Sequence, residues 1–217
     1  ICTTAAFAGP WNESERQAIY AAREGAAQLV AAHERKWAEL WQGDIEIEGD
    51  PTAQLDVRFA LFNLYGSIRE GSRRSIPPMG LSARGFYNGH IFWDSEIWMY
   101  PALLVLRPCL ARQMLDYRTD GLDAARRRAY AHGYRGAMFP WEGDDRGEEA
   151  TPTFALTGPL EHHITADIAI ASWNYYCVTQ DREWLRREGF PLMREAARFW
   201  CDRVTANADG SYSIRNV

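Results

Sequence analysis

The sequence predicts an all-α fold, and three observations carry that expectation. Apolar residues recur at three- and four-residue spacing over most of the chain. No alternating apolar and polar run is long enough to build a sheet. Two long segments rich in Gly, Pro and acidic residues follow alternate helices, the arrangement of an α/α toroid or solenoid whose loops gather at one rim. No exact internal repeat is visible, so periodicity by itself reaches only the all-α class.

In chain order, Asn12 or Ser14 is placed to cap one long helix from Glu13 to Gln42, with Glu15 favouring its N-terminal dipole. Ile19, Ala22, Ala26, Leu29, Val30, Trp37, Leu40 and Trp41 form its apolar stripe. Gly43-Asp44 stops it. A second helix starts after Asp50-Pro51-Thr52, because proline lacks only an N–H that a first turn cannot use. Leu55, Phe59, Phe62 and Leu64 define its expected buried side. Residues 72–94 form the first long loop, and loops of this length inside compact domains are usually functional. A third helix over Ser95–Leu106 is apolar nearly all round, which suits a protein interior, and Pro101 should kink it. Arg107-Pro108 breaks the chain before a helical stretch reaching His132. Residues 133–159 form the second long loop. Two more helices span Ile164–Val178 and Asp181–Val204. Asn207–Gly210 then turns into a short strand, Tyr212-Ser213-Ile214.

Composition sets the outer limits. The chain has 217 residues, 47% hydrophobic and 24% charged, as in an ordinary globular protein. No apolar run is long enough to cross a membrane. A net charge of −5 with no basic stripe argues against nucleic acid as a partner. Cys2, Cys109, Cys177 and Cys201 lack CxxC spacing, so neither a zinc knuckle nor a redox motif is supported. Cys109, Cys177 and Cys201 lie in apolar helical context and read as buried thiols. The N-terminus lacks Met and a signal-peptide pattern. It reads as the interior of a longer polypeptide, which leaves cytoplasm and periplasm both open.

Three constellations stand out. Gly89-His90-Ile91-Phe92-Trp93-Asp94 sets a flat ring beside a two-oxygen acceptor at a loop-to-helix junction, although an Asp there is also an ordinary cap. Gly136 to Asp145 repeats the pairing as Trp141-Glu142, followed by Asp144, Asp145, Glu148 and Glu149, which read mostly as solvated side chains. Two such pairs in two loops suit a sugar, which offers apolar C–H faces to rings and vicinal hydroxyls to carboxylates. The third is Glu161-His162-His163. Adjacent side chains diverge, so a shared metal ion is disfavoured and a hydrogen-bonded structural His preferred. Nucleotide, serine-hydrolase and zincin motifs are all missing.

The segments Gly89–Ile97, Gly133–Glu142 and His163–Trp173 resemble glycoside hydrolase family 65, a family of α-glucosidases and disaccharide phosphorylases acting on trehalose, maltose and kojibiose. The resemblance extends to Asp44–Asp50 and Ala197–Trp200. It implies a linker region over residues 1–43, following a β-sandwich, and the first half of an (α/α)6 catalytic barrel over 44–217. It implies no cofactor or metal ion, a small carbohydrate as substrate, and leaves room for a homodimer of the full-length protein. Trp93, Asp94, Trp141 and Glu142 match residues of the glucose subsite; Arg84 and His163 are weaker matches. The family's general acid is a Glu in a Gly-Pro-x-Glu segment, expected beyond Val217. Gly158-Pro159-Leu160-Glu161 has the same letters in a different place, which makes Glu161 a decoy. The implied reaction is inverting hydrolysis of an α-glucosidic bond in a kojibiose-like disaccharide or glucosyl-galactosyl substrate. A phosphorylase and a non-catalytic carbohydrate-binding fragment are the alternatives.

Overall fold

The computed structural model describes residues 11–82 and 85–215. Arg84 and Cys2 fall outside them. The chain divides into two compact units, residues 1–44 and 45–217.

In the first unit the expected single helix is two, α1 (Trp11–Glu24) and α2 (Ala26–Leu40). Gly25 separates them at φ +82°, a conformation that glycine adopts without the penalty of a Cβ. Asn12 and Ser14 lie inside the first turn of α1 rather than ahead of it.

The second unit opens with α3 (Pro51–Ser67). The Asp50 carboxylate accepts from the Thr52 and Ala53 N–H groups at 3.0 and 2.9 Å, satisfying donors that a first turn leaves over. The buried side of α3 is Leu61 and Tyr65, not the expected one, for Leu55, Phe59 and Phe62 are exposed. Both sides of this helix are apolar, so spacing alone does not choose between them.

The third helix is α4 (Tyr100–Leu106), entered through a π-helical turn at Ser95–Met99. Pro101 offers no N–H to Ile97, and its ring crowds the preceding turn. The backbone widens there, with the Tyr100 N–H reaching the Ser95 carbonyl. Farther on, the one-turn α8 (Arg182–Trp184) runs through a π-turn at Leu185–Gly189 into α9 (Phe190–Arg203), and Pro191 occupies the same position as Pro101. The third helix is not interior all round either: Leu103 and Leu104 are buried, Trp98 and Val105 exposed.

Gly121 divides the next stretch into α5 (Pro108–Asp120) and α6 (Leu122–Ala131). At Gly121 the backbone of Gly147 passes so close that a Cβ on Gly147 would stand 2.8 Å from the Gly121 Cα. α7 (Ile164–Thr179) packs on α4, α5 and α9. A two-residue hairpin, β1 (Thr205–Ala206) antiparallel to β2 (Tyr212–Ser213), follows α9. Cys109, Cys177 and Cys201 are exposed rather than buried, on helix sides the apolar context did not distinguish.

Part of the second long loop belongs to the core. Ala137, Met138 and Phe139 are fully buried, Ala137 and Phe139 among Leu122, Ala125, Ile164, Ile168 and Leu192, and Met138 with Ala129 and Phe199. A buried irregular backbone must still satisfy its polar groups. It does so on three helices: Ala137 N–H to the Glu195 carbonyl, Met138 N–H to the Ala125 carbonyl, and Phe139 N–H to Thr165 Oγ1, each at 3.0 Å.

Candidate active site

The two long loops meet at one point. Ile91 and Gly143 exchange both backbone hydrogen bonds, at 2.8 and 2.9 Å, and Gly143 bridges onward to Glu149. A side chain at 143 would strike the Tyr117 hydroxyl, 2.7 Å from where its Cβ would be, so a glycine fits there. That hydroxyl donates to the Asp144 carbonyl at 2.5 Å, and burial pushes its pKa up to about 12. The bridge ties together the two loops that carry the Trp–carboxylate pairs.

Trp93 packs on the core cluster and meets the Trp98 ring at 5.8 Å and the His163 ring edge-on at 5.3 Å. Asp94 has helical φ and ψ of −50° and −35° and makes no capping hydrogen bond, which removes the ordinary cap as its role. Among the described residues its half-buried carboxylate has neither a hydrogen-bond nor an ion-pair partner. The turn beneath is held by a buried ion pair. Arg118 Nε and Nη2 donate to Glu96 at 2.8 and 2.9 Å, and Nη2 also reaches the Phe92 carbonyl. Burial pulls the Arg118 pKa down, but Glu96 more than offsets this and leaves it raised.

On the other loop, Trp141 lies edge-on to Phe92 at 5.2 Å, and Gly158 is pressed against the indole. Glu142 is buried, 3% exposed, and bonded to His90 Nδ1 at 2.7 Å. A carboxylate only accepts, so Nδ1 carries the hydrogen. The rest of this loop is clamped from α6 by Arg128, which donates to the Phe139 and Pro159 carbonyls and pairs with Glu149 at 2.6 Å. Asp144 is not simply solvated: its Oδ1 accepts from the Arg146 and Glu148 N–H groups at 2.8 and 2.9 Å and closes the loop tip.

The two histidines diverge, as adjacent residues should. His163 turns to Trp93 and bonds Asp167 through Nδ1 at 2.7 Å. His162 is buried and accepts at Nδ1 from Arg203 Nε at 2.8 Å. Burial, then the charges of Arg203 and Arg128, lower its pKa to about 4 and keep it neutral. Glu161 is half-buried, with Oε2 4.0 Å from His163 Nε2. Among the described residues no group of three or more His, Cys, Asp or Glu is arranged to hold a metal ion.

The structure joins Trp93 to His163 by a ring contact, sets Trp141 against Phe92, and ties the two loops at Ile91–Gly143, with Asp94 and Glu142 each following its Trp in sequence. His90, Glu96, Arg118 and Asp167 belong to the same assembly and escaped the sequence reading. Only Glu96 left a signal, as a lone charge in an otherwise apolar helix that needs a buried partner.

The model of the glycosyl hydrolase family 65 central catalytic domain matches residues 58–217. The chain belongs to glycosyl hydrolase family 65. A kojibiose hydrolase of Mucilaginibacter mallensis is 52% identical, covering 99% of this chain and 32% of that protein. One of Flavobacterium johnsoniae is 53% identical, covering 96% and 30%. A kojibiose phosphorylase of Thermoanaerobacter brockii is 41% identical, covering 94% and 28%. A solved putative kojibiose phosphorylase from the human microbiome shares the fold, with TM-score 0.83 and 23% identity over 95% of this chain and 29% of that one. The chain thus spans about a third of the length of the curated relatives it matches. The helices of its second unit form part of the family 65 (α/α) barrel.

Proposed function

We propose that the polypeptide carrying this chain hydrolyses an α-glucosidic bond with inversion, in kojibiose or a substrate closely like it, and that this chain supplies part of the glucose subsite. The observation that carries the reading is the unpartnered Asp94 carboxylate next in sequence to Trp93, on a loop that the Ile91–Gly143 bridge ties to the loop of Trp141 and Glu142. A pyranose fits such a place. Its C–H faces lie on indole rings, and its paired hydroxyls donate to a carboxylate that no protein group occupies. Trp93 and Asp94 would form one wall, Trp141 and Glu142 the other, with His163 at the margin, while Arg84 is assigned to the subsite by the family resemblance alone. The general acid, by the family pattern, is a Glu outside these residues, and Glu161 is not assigned that part.

Hydrolysis is favoured over phosphorolysis because identity to the kojibiose hydrolases exceeds identity to the kojibiose phosphorylases, 52–53% against 41–42%. Phosphorolysis is the second reading, carried by those same phosphorylase relatives. The two differ in nucleophile: water needs a carboxylate base, whereas phosphate arrives charged and needs a pocket.

The test is incubation of the full-length protein with kojibiose, trehalose and maltose, with and without phosphate. The expected result is glucose from kojibiose at equal rates in both conditions, and β-glucose as the first anomer seen by proton NMR. Glucose 1-phosphate formed only with phosphate would replace hydrolysis by phosphorolysis.

A further inference from the structure

The His163–Asp167 pair has no part in the reading above beyond placing an imidazole near Trp93. His163 stands just before α7 and Asp167 four residues on, a spacing that puts both side chains on one side of a helix. Asp167 is the more enclosed partner, its side chain 14% exposed against 44% for His163. The imidazole therefore reaches open space, with the carboxylate behind it. A carboxylate offers only acceptors, so the 2.7 Å contact fixes the hydrogen on Nδ1 and leaves the neutral ring an acceptor at Nε2. Glu161, at 4.0 Å from Nε2, is too far to claim that lone pair as a hydrogen-bond partner. Trp93 meets the same ring at 5.3 Å. The buried Arg118 feels the Asp167 charge, and its Nη1 has no hydrogen-bond partner among the described residues.

We propose that Asp167 is a positioning residue: it fixes the ring plane and tautomer of His163, so that Nε2 accepts a hydrogen bond from a hydroxyl of the sugar held against Trp93. The inference rests on the glycoside reading of this site. A plain structural part for Asp167 would be to complement the N-terminal dipole of α7. The two differ in whether its effect passes through His163.

A double-mutant cycle in the full-length protein decides between them, read as kcat/KM on kojibiose and as glucose affinity from tryptophan fluorescence. Asp167→Asn keeps the shape, but its amide can donate to Nδ1 and so move the ring hydrogen to Nε2. It should lower kcat/KM and glucose affinity about tenfold, the loss of roughly one hydrogen bond. His163→Ala should fall as far, and the double variant no farther than His163→Ala. His163→Gln, whose amide end reaches the place of Nε2, should retain more activity than His163→Asn, whose amide end stays near Nδ1. Additive losses, or an Asp167→Asn variant with unchanged kinetics in a protein that cleaves kojibiose, would overturn the proposal. A wild type that binds glucose and cleaves nothing removes the hydrolytic reading and leaves the cycle decided by affinity. A wild type that neither binds nor cleaves removes both.

Discussion

An aspartate in a loop can spend its carboxylate on backbone donors or keep it for a ligand, and Asp144 and Asp94 differ in this way. Asp94 makes no capping bond, whereas Asp144 spends its Oδ1 on two backbone N–H groups of its own loop. Their alanine variants should separate accordingly. Asp94→Ala should lose about a hundredfold in kcat/KM with little change in melting temperature, since a hydrogen bond to a charged group contributes roughly 1.5–3 kcal/mol. Asp144→Ala should lose about 1–2 kcal/mol of stability, the usual cost of removing a side chain that satisfies backbone donors, with a smaller kinetic effect. Kinetics and thermal melts of the two variants side by side check this, and matching kinetic losses would return Asp94 to a structural part. The sequence already set Asp94 beside Trp93 as a site candidate and read Asp144 as solvated; the two backbone bonds that Asp144 makes were not visible in it. Among the missed residues, His90 lies 52 positions from Glu142 and Glu96 lies 22 from Arg118, and no local pattern links such pairs; only Asp167 has its partner, His163, one helical turn away.

Glycine marks the points where elements part or touch, and its context decides what a substitution costs. Gly133 and Gly136 open the same loop with φ of +80° and +77°. A Cβ at 133 would meet nothing within 4 Å, whereas one at 136 would lie 2.2 Å from the Glu195 carbonyl and 2.5 Å from the Phe199 nitrogen. Gly133→Ala should therefore cost about 1–2 kcal/mol, the left-handed penalty alone. Gly136→Ala adds a backbone clash that only a shift of α9 relieves, and should cost about 3 kcal/mol or more. Chemical denaturation of the two variants checks the order, and equal losses would mean that α9 yields easily. Helices as such were legible, because a period near 3.6 survives without any partner. Their interruptions were less so. Gly25 and Gly121 lie inside continuous apolar patterns, and the π-turn before Tyr100-Pro101 stands where a kink is expected, while the one before Phe190-Pro191 interrupts a stretch that reads as a single helix. The burial of Ala137–Phe139 was hidden for another reason: three apolar residues after a glycine carry no period at all.

At the scale of the whole chain, the all-α class and the family followed from helical spacing and three motifs, while the choice of buried faces did not. On α3, Leu61 and Tyr65 face inward, and Leu55, Phe59 and Phe62 lie outward, 68%, 67% and 50% exposed. The outward three stand at i, i+4 and i+7, so they form one continuous stripe. Each large apolar side chain left in water forgoes roughly 1.5–3 kcal/mol of burial, and a stripe of three is a patch on which copies associate. The 217-residue chain expressed by itself should therefore self-associate at micromolar concentration, and it should release no glucose from any disaccharide. Phe59→Glu with Phe62→Lys should shift it towards monomer in size-exclusion chromatography with light scattering, without loss of helical circular dichroism. In the full-length protein the same pair should instead lower the melting temperature, if that stripe is buried there by the rest of the polypeptide. A monomeric, soluble 217-residue chain would show that the stripe tolerates water. An unchanged melting temperature in the full-length variant would show that nothing covers it.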